Sequence, residues 1–454
     1  MGLSIIILAA GQGTRMRSRL PKVLHPLAGR PLLEHVHQAA ARLPKARIQI
    51  VYGHGGEQVR NQLPQLKADW VEQKRQLGTG HAVLQAMPKV KPRDTVLILY
   101  GDVPLITTDT LEKLVAAAGR TSMGLLTIEL ADPGGYGRIV RDARGHVVRI
   151  VEHKDASEAE RAIGEINTGM LAVTAAHLAR WVGRLRNRNV QKEYYLTDII
   201  AMAVDDGVHV RTVAPASPYE VMGVNDRVQL AELERYYQYM QAMHLMRQGV
   251  TLADPARFDL RGDLEIGTDV FIDVNVVIEG RVSIGSGTRI GPNNVIRNAT
   301  IAEDVEILPN CVIEEASVGR AARIGPFSRL RPEAELAEDT HVGNFVEIKK
   351  AIVGRGSKIN HLSYVGDADI GRDCNIGAGT ITCNYDGAHK HRTVIGDDVF
   401  IGSDTQLVAP VKVGDGATIG AGATITQDAP AGKLTLSRSP QVTVDKWQRP
   451  RKKK

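Results

Sequence analysis

Ile266-Gly-Thr-Asp-Val-Phe-Ile272-Asp-Val-Asn-Val-Val-Ile278-Glu-Gly-Arg-Val-Ser-Ile284-Gly-Ser-Gly-Thr-Arg-Ile290-Gly-Pro-Asn-Asn-Val-Ile296 keeps a six-residue beat. Isoleucine, leucine or valine, often with Gly next, carries it on through Ile301, Ile324, Ile348 and Ile376 to Thr382, with occasional five-residue steps. The next beat after Thr382 is Ile395, thirteen residues on, and the rhythm then resumes through Ile401 to Ile425. A short repeat of this kind marks a parallel β-helix, because each unit buries its apolar residue only by stacking on its neighbours. The 27 beats, three to a turn, predict nine coils rising about 4.8 Å each, a prism on the order of 40 Å long. Whatever interrupts the stack is a candidate for function rather than core.

The 454 residues exceed what one hydrophobic core supports, so two domains are expected. An apolar fraction of 43% and a charged fraction of 24% fit a soluble globular protein. Leu3–Ala10 is apolar but too short to span a membrane and has no basic flank for secretion, so it reads as a buried strand. Cys311, Cys374 and Cys383 form no CxxC, and their odd number argues for reduced thiols in a cytoplasm. The net charge of +6 is modest, and much of it is the tail Arg449–Lys454, read as a solvated terminus. With aromatics at 4% there is no stacking platform for nucleic acid.

The first half alternates short apolar strands (Ser4–Leu8, Ile48–Val51, Val96–Tyr100) with amphipathic helices (Leu32–Leu43, Leu111–Ala118). That alternation predicts an α/β domain with a parallel sheet covered by helices. Gly137–Val140 and Val147–Val151 predict a hairpin walling over the sheet. From Asp226 to about Gln248, Leu230, Leu233, Tyr237, Met240 and Met243 fall at helical spacing, and Gly249 ends the pattern. The expected organisation is a domain over 1–227, a linker helix over 228–248 and the repeat domain over 249–454.

Leu8-Ala-Ala-Gly-Gln-Gly-Thr-Arg-Met16 follows the first strand directly. It is neither a Walker loop nor a dinucleotide fingerprint, since Met16 stands where the third glycine belongs. Gly11 and Gly13 still admit backbone N–H groups to an anion, and Arg15 and Lys22 add charge. Tyr100-Gly-Asp-Val-Pro104 puts Asp102 just past a strand end, where open α/β sheets bind ligands. A carboxylate there is a natural Mg²⁺ ligand beside nucleotide phosphates.

These two segments, with Pro21-Lys22, Gln73 and Leu77-Gly-Thr-Gly-His81, resemble the sugar-1-phosphate nucleotidyltransferases. Glu152-His-Lys-Asp155, Glu165-Ile-Asn-Thr-Gly169, Glu193–Asp198, Gly223-Val-Asn225 and the β-helix narrow the resemblance. They are similar to the bifunctional N-acetylglucosamine-1-phosphate uridyltransferase/glucosamine-1-phosphate N-acetyltransferase family over essentially the whole chain. The resemblance implies a Rossmann-like nucleotidyltransferase domain, a linker helix and a left-handed parallel β-helix of hexapeptide repeats. It implies that Leu8, Ala9, Ala10, Gly11, Gln73, Gly78 and Thr79 hold the uracil and ribose of UTP. Gly137, Glu152 and Asn167 would hold N-acetylglucosamine, within a substrate site that includes Tyr100, Gly101 and Lys22. Asp102 and Asn225 would bind Mg²⁺. A sugar-phosphate oxygen would then attack the α-phosphorus of UTP, needing no general base, with Mg²⁺, Arg15 and Lys22 neutralising charge. Gln12 departs from family members that carry lysine there, which removes one positive charge.

The break in the beat contains Cys383-Asn-Tyr-Asp-Gly-Ala-His-Lys-His-Arg-Thr393, too polar for a coil and therefore expected to project as a loop. His389 and His391 read as solvated surface rather than metal ligands, and Cys383 as a small packed residue. His361, in Ile359-Asn-His-Leu-Ser-Tyr364, lies one coil-length before the break and is expected to face the loop of a neighbouring coil. Acetyl transfer to an amine needs a group to take the amine's proton, a task suited to histidine. The family's acetyltransferase base falls on His361. By the same resemblance Arg331 and Lys349 would pair with the phosphate of glucosamine 1-phosphate, and Tyr364 and Asn375 would contact the sugar. Ala378, Asn384, Tyr385, Ser403, Ala421 and Arg438 would line the acetyl-CoA site, and a homotrimer is implied. The rival readings are a single-function nucleotidyltransferase with a structural β-helix, and a non-catalytic scaffold.

Overall fold

The computed structural model describes residues 2–11, 13–53 and 56–450. Gln12 and the last four residues of the basic tail lie outside the described residues. The chain divides into two compact units, Met1–Tyr237 and Gln238–Lys454. The boundary falls inside the helix Arg227–Arg247, at whose end Gly249 takes φ 97°.

The N-terminal unit is built on nine strands: β1 (Leu3–Ala9), β2 (Ala46–Gly53), β3 (Asp69–Gln73), β4 (Thr95–Tyr100), β5 (Ser122–Glu129), β6 (Gly137–Arg141), β7 (Val147–Val151), β8 (Glu165–Thr174) and β9 (His209–Val213). Their order is β9-β5-β8-β4-β1-β2-β3. β4, β1, β2 and β3 run parallel, whereas β8 is antiparallel to both β4 and β5. Strand alternation sends Ile5 and Ile7 into one buried cluster with Leu33, Val36 and Leu111. Ile6 and Leu8 enter the cluster on the other face with Val83, Leu178, Trp181 and Ile199. Both faces are therefore helix-covered, which is why β1 reads as a continuous apolar run. The hairpin β6–β7 differs from expectation. It does not wall over the sheet but joins it, because β6 continues the antiparallel ladder along β8 through Ile166 and Asn167.

The C-terminal unit is a parallel stack. On one face Ile272, Ile290, Ile307, Ile324, Val342, Ile359 and Ile376 lie in register from coil to coil. Their separation is 17 or 18 residues, and from Ile376 to Ile401 it becomes 25. That face holds eleven strands, two more than the nine coils expected. Thr251–Leu252 and Leu434–Thr435 extend the hydrogen-bonded ladder beyond both ends of the apolar beat. Backbone pairing needs no side-chain rhythm, so the beat undercounts it.

Left-handed backbone recurs at the corners: Asn275, Asn293 and Asn310 hold φ near 60° at successive turns, a conformation these residues tolerate. The same corner continues with Phe327, Phe345 and Leu362, bulky residues at φ 58°, 59° and 48°. Each rung of the interior depends on its neighbours. Ile324→Ala, at a fully buried position, is therefore expected to lower the unfolding free energy of this unit by about 2–5 kcal/mol in urea titration. Arg320→Ala, which breaks only an exposed 3.7 Å ion pair with Asp304, should stay within about 0.5 kcal/mol.

Candidate active sites

β1 and β4 end side by side, with Leu8 opposite Tyr100, and both chains leave the sheet at the crevice where open α/β folds bind ligands. A cavity of about 450 Å³ opens there. Leu8–Gly11, Gln73, Gly78, Thr79, Lys22, Tyr100 and Asp102 line its wall. Gly101 turns the chain after β4, its N–H bonded to the Leu8 carbonyl at 2.9 Å. Gln73 is buried, donating to the Gly78 carbonyl at 3.2 Å. Thr79 Oγ1 accepts from the Leu196 N–H at 3.1 Å, which ties the wall to the segment carrying Glu193.

The charges converge on one point. Lys22 Nζ donates to Asp102 Oδ2 and, at 3.3 Å, to Asn225 Oδ1. Arg15 Nη2 donates to the same Asn225 oxygen at 2.8 Å. The Val224 N–H bonds the Asp102 carbonyl at 2.9 Å, holding the two segments together. A carboxylate and an amide oxygen are hard donors that suit Mg²⁺, which keeps several waters of its own. The Lys22 ammonium spans both of these oxygens. Among the described residues no set of three or more His, Cys, Asp or Glu gathers to hold a metal, so the candidate rests on this pair.

Gly137, Glu152 and Asn167 lie outside the lining of this cavity, and the charge of Glu152 ties them to it through Tyr100. Asn167 pairs with Gly137 across the β8–β6 ladder, and Glu152 Oε2 lies 3.5 Å from where a Cβ on Gly137 would stand. Thr197 Oγ1 donates to Glu152 Oε1 at 2.9 Å. Burial pushes the Glu152 carboxyl up, Thr197 opposes this, and Asp155 and Asp198 add to it. The Tyr100 phenol is raised by burial and then by the charges of Glu152 and Asp102. Gly169, at φ 85°, passes so close that a Cβ would sit 2.5 Å from the Tyr100 ring. Glu193, read in the sequence only as part of a motif, also lines this cavity, and so does Gln76, which escaped the sequence reading. Gln76 donates to the Ala10 carbonyl at 2.5 Å. Its signal was its place three residues after Gln73, between two motif segments.

In the C-terminal unit His361 stands in register with Asn344 on the coil before it, and His361 Nδ1 lies 2.9 Å from Asn344 Oδ1. The loop is held by Asp386, which accepts from the N–H groups of Ala388 and His389 and from His391 Nε2 at 2.7 Å. Those bonds hold the Asp386 carboxyl well below the usual range. Among the described residues no hydrogen bond joins His361 to this loop. The loop brings Lys390 beside Lys349. Lys390, and then Arg331, press the Lys349 ammonium down from its ordinary range. Arg331 is paired with Glu347 at 2.7 Å. Asn384 Nδ2 donates to Asp367 Oδ2 at 2.5 Å and reaches the Tyr364 hydroxyl at 3.5 Å. Arg331, Lys349, Tyr364 and Asn384 are therefore one neighbourhood, and Lys390 is the member that sequence reasoning missed. Its signal was its position in the interrupting loop. Tyr385 is exposed, bridged to Lys390 across the loop. Burial raises the Cys383 thiol.

The remaining residues fall on a column. His361, Ala378, Ser403 and Ala421 each stand two residues beyond an in-register isoleucine of one face (Ile359, Ile376, Ile401, Ile419). Arg438 Nη2 lies 2.8 Å from where a Cβ on Gly420 would be, beside the top of that column. Asn375 precedes Ile376 and pairs with Lys358 and Phe400.

Comparison with known proteins agrees with this division. Residues 5–181 match the MobA-like NTP transferase domain, residues 392–427 the bacterial transferase hexapeptide (six repeats), and residues 260–344 the GMPPB C-terminal domain. With that match and the in-register coils, the stack is a left-handed parallel β-helix of hexapeptide repeats. A protein of Methylococcus capsulatus described as bifunctional protein GlmU is 60% identical over 453 residues, covering 100% of this chain and 98% of that protein. Proteins of the same description from Cupriavidus pinatubonensis and Azoarcus sp. are 58% and 59% identical, each over at least 99% of both chains.

The glycine loop yields a paired test. At Gly13 (φ 61°) a Cβ would stand 2.7 Å from Lys22 Cβ, whereas at Gly11 it would meet nothing within 4 Å. Gly13→Ala is expected to lower the melting temperature of the N-terminal unit by about 2–4 °C for each kcal/mol of strain. Gly11→Ala should leave it unchanged, as read by calorimetry.

Proposed function

Because the chain belongs to the family of bifunctional GlmU proteins, we propose that its two units carry two consecutive transfer reactions. The enzyme acetylates glucosamine 1-phosphate from acetyl-CoA and then transfers UMP from UTP to N-acetylglucosamine 1-phosphate, releasing pyrophosphate. The product, UDP-N-acetylglucosamine, serves cell-wall and lipopolysaccharide synthesis. The observation that carries this reading is the coexistence of the cation-bearing crevice at Lys22, Asp102 and Asn225 with the His361 column in the β-helix.

In the uridyl transfer, Leu8–Gly11, Gln73, Gly78 and Thr79 hold the uracil and ribose, while Gly137, Glu152 and Asn167 hold the sugar beside Tyr100. The sugar-phosphate oxygen is already anionic and attacks the α-phosphorus as the bond to pyrophosphate breaks, so no protein base is required. Arg15 and Lys22 offset the charge gathered there. Asp102 and Asn225 would hold Mg²⁺, which would supply further neutralisation of the phosphates.

In the acetyl transfer, Arg331, Lys349 and Lys390 receive the phosphate of glucosamine 1-phosphate, and Tyr364 and Asn375 contact its sugar. The amine has a pKa of about 8 and must be neutral to attack. His361 takes its proton as the C–N bond forms and the C–S bond to CoA breaks. Ala378, Ser403 and Ala421 leave a strip of small side chains beyond His361. Three rungs span about 14 Å, which suits the extended arm of CoA, with Asn384, Tyr385 and Arg438 flanking it.

The domain division follows as 1–227 for uridyl transfer, 228–248 for the linker helix and 249–454 for acetyl transfer. The exposed corner residues Phe327, Phe345 and Leu362, held in left-handed backbone that disfavours bulky side chains, support burial against other copies in a homotrimer. Among the described residues no helix is long and apolar enough to cross a membrane. UTP and acetyl-CoA as substrates favour a cytoplasmic enzyme.

His361→Ala is expected to reduce CoA release from acetyl-CoA and glucosamine 1-phosphate by about 10²–10⁴-fold while sparing UTP-dependent pyrophosphate release. Unchanged acetyl transfer would overturn the base assignment. Asp102→Ala should do the converse, abolishing pyrophosphate release at all Mg²⁺ concentrations. A variant still fully active in Mg²⁺ would remove Asp102 from the metal site.

A further inference from the structure

A histidine acts as a base only through a ring nitrogen that carries no proton, so the proton of the neutral ring has to be kept on the other nitrogen. His361 is exposed and has two ring nitrogens. Left to solvent, its neutral ring would divide between two tautomers. The fold supplies a partner one rung away. Asn344 and His361 are register partners on adjacent coils, and Asn344 Oδ1 lies 2.9 Å from His361 Nδ1.

Both partners are held by the backbone. The His361 carbonyl accepts from Ser363 Oγ at 2.8 Å and from the Gly379 N–H at 3.3 Å. The Asn344 carbonyl accepts from the Leu362 N–H at 3.1 Å. Gly343 lets the two coils close here, since a Cβ on it would stand 1.9 Å from the Asn360 carbonyl oxygen. Asn344 and His361 both line a groove of about 320 Å³ on this face, with Arg323 and His341 further along it. Lys358 lies on the His361 strand. Arg323 and Lys358 are donors only, and His341 sits on the Asn344 strand itself. An amide oxygen is the group in this set that accepts a ring N–H at every pH.

We infer that Asn344 is a positioning residue for acetyl transfer: its Oδ1 accepts the His361 Nδ1 proton, leaving Nε2 as the nitrogen that receives the proton of the sugar amine. The same oxygen then faces the doubly protonated ring once that proton has moved. The inference rests on His361 being the base, and the two stand or fall by different measurements.

The decisive variant is Asn344→Asp. A carboxylate at the same distance favours the charged ring, and the base works only when neutral. The acid limb of the pH profile of kcat/KM for acetyl transfer should therefore move to higher pH by about one unit. Asn344→Leu keeps the volume and removes the acceptor. It should lower kcat about tenfold or more, with little change in KM for glucosamine 1-phosphate. In ¹⁵N NMR of labelled histidine it should turn His361 from the Nδ1–H tautomer to a mixture. Pyrophosphate release and circular dichroism establish that each variant is folded. If the acid limb of folded Asn344→Asp coincides with wild type, Asn344 does not act on the base. If His361→Ala retains acetyl transfer, the underlying assignment fails whatever Asn344 does.

Discussion

Every feature of the C-terminal unit follows from the register of its coils. An apolar residue is buried there only because the same position on the next coil covers it, and the backbone ladder allows one alignment that does so. A step of 17 or 18 residues therefore has to be kept between Ile272 and Ile376. The single step of 25 residues, from Ile376 to Ile401, keeps the alignment on both sides and expels the surplus as the loop carrying Asn384, Tyr385 and Lys390. Register also stacks side chains that are far apart in sequence. Asn344, His361, Ala378, Ser403 and Ala421 form one column because each stands two residues past a buried aliphatic of the same face.

The N-terminal unit depends on a different constraint. Its parallel strands β4, β1, β2 and β3 are covered on both faces, so polar groups that bind ligand are confined to the strand ends. Leu8 and Tyr100 finish together, and the loops that follow bring Gly11, Asp102 and Lys22 into one cavity. The antiparallel strand β8 then carries Gly169 back alongside Tyr100. A sheet that was parallel throughout would not return a chain to the same edge of the cavity.

Much of this was legible in the residues. The beat foretold the stack and located its interruption to within the segment 383–393, because a strict period makes any departure visible. Asp102 was legible from its place after a strand, and the glycine loop from its spacing. What escaped detection depends on distance rather than pattern. Gln76 reaches the Ala10 carbonyl across 66 positions, and no periodicity connects them. Lys390 lies between His389 and His391, which read as solvated surface, and no spacing in the sequence connects it to Lys349. The two outer coils, at Leu252 and Thr435, were missed because they pair by backbone beyond the two ends of the apolar beat. The hairpin β6–β7 was misjudged because local alternation reveals a strand but not which edge it will join.

The two sites manage charge in opposite ways. In the N-terminal cavity Lys22 is already paired with Asp102, and Arg15 rests on the Asn225 oxygen. With Glu193 also on the wall, the formal charges of Arg15, Lys22, Asp102 and Glu193 sum to zero, too little to hold a triphosphate beside a second phosphate. The two oxygens that Lys22 spans are the hard donors this cavity presents. In the β-helix, Arg331, Lys349 and Lys390 stand against Glu347 and Asp367, with a net excess of one positive charge and two ammonium groups pressed together. That repulsion is relieved by any phosphate dianion placed between them. The net charge that each site presents is set by which carboxylates the fold leaves beside each lysine.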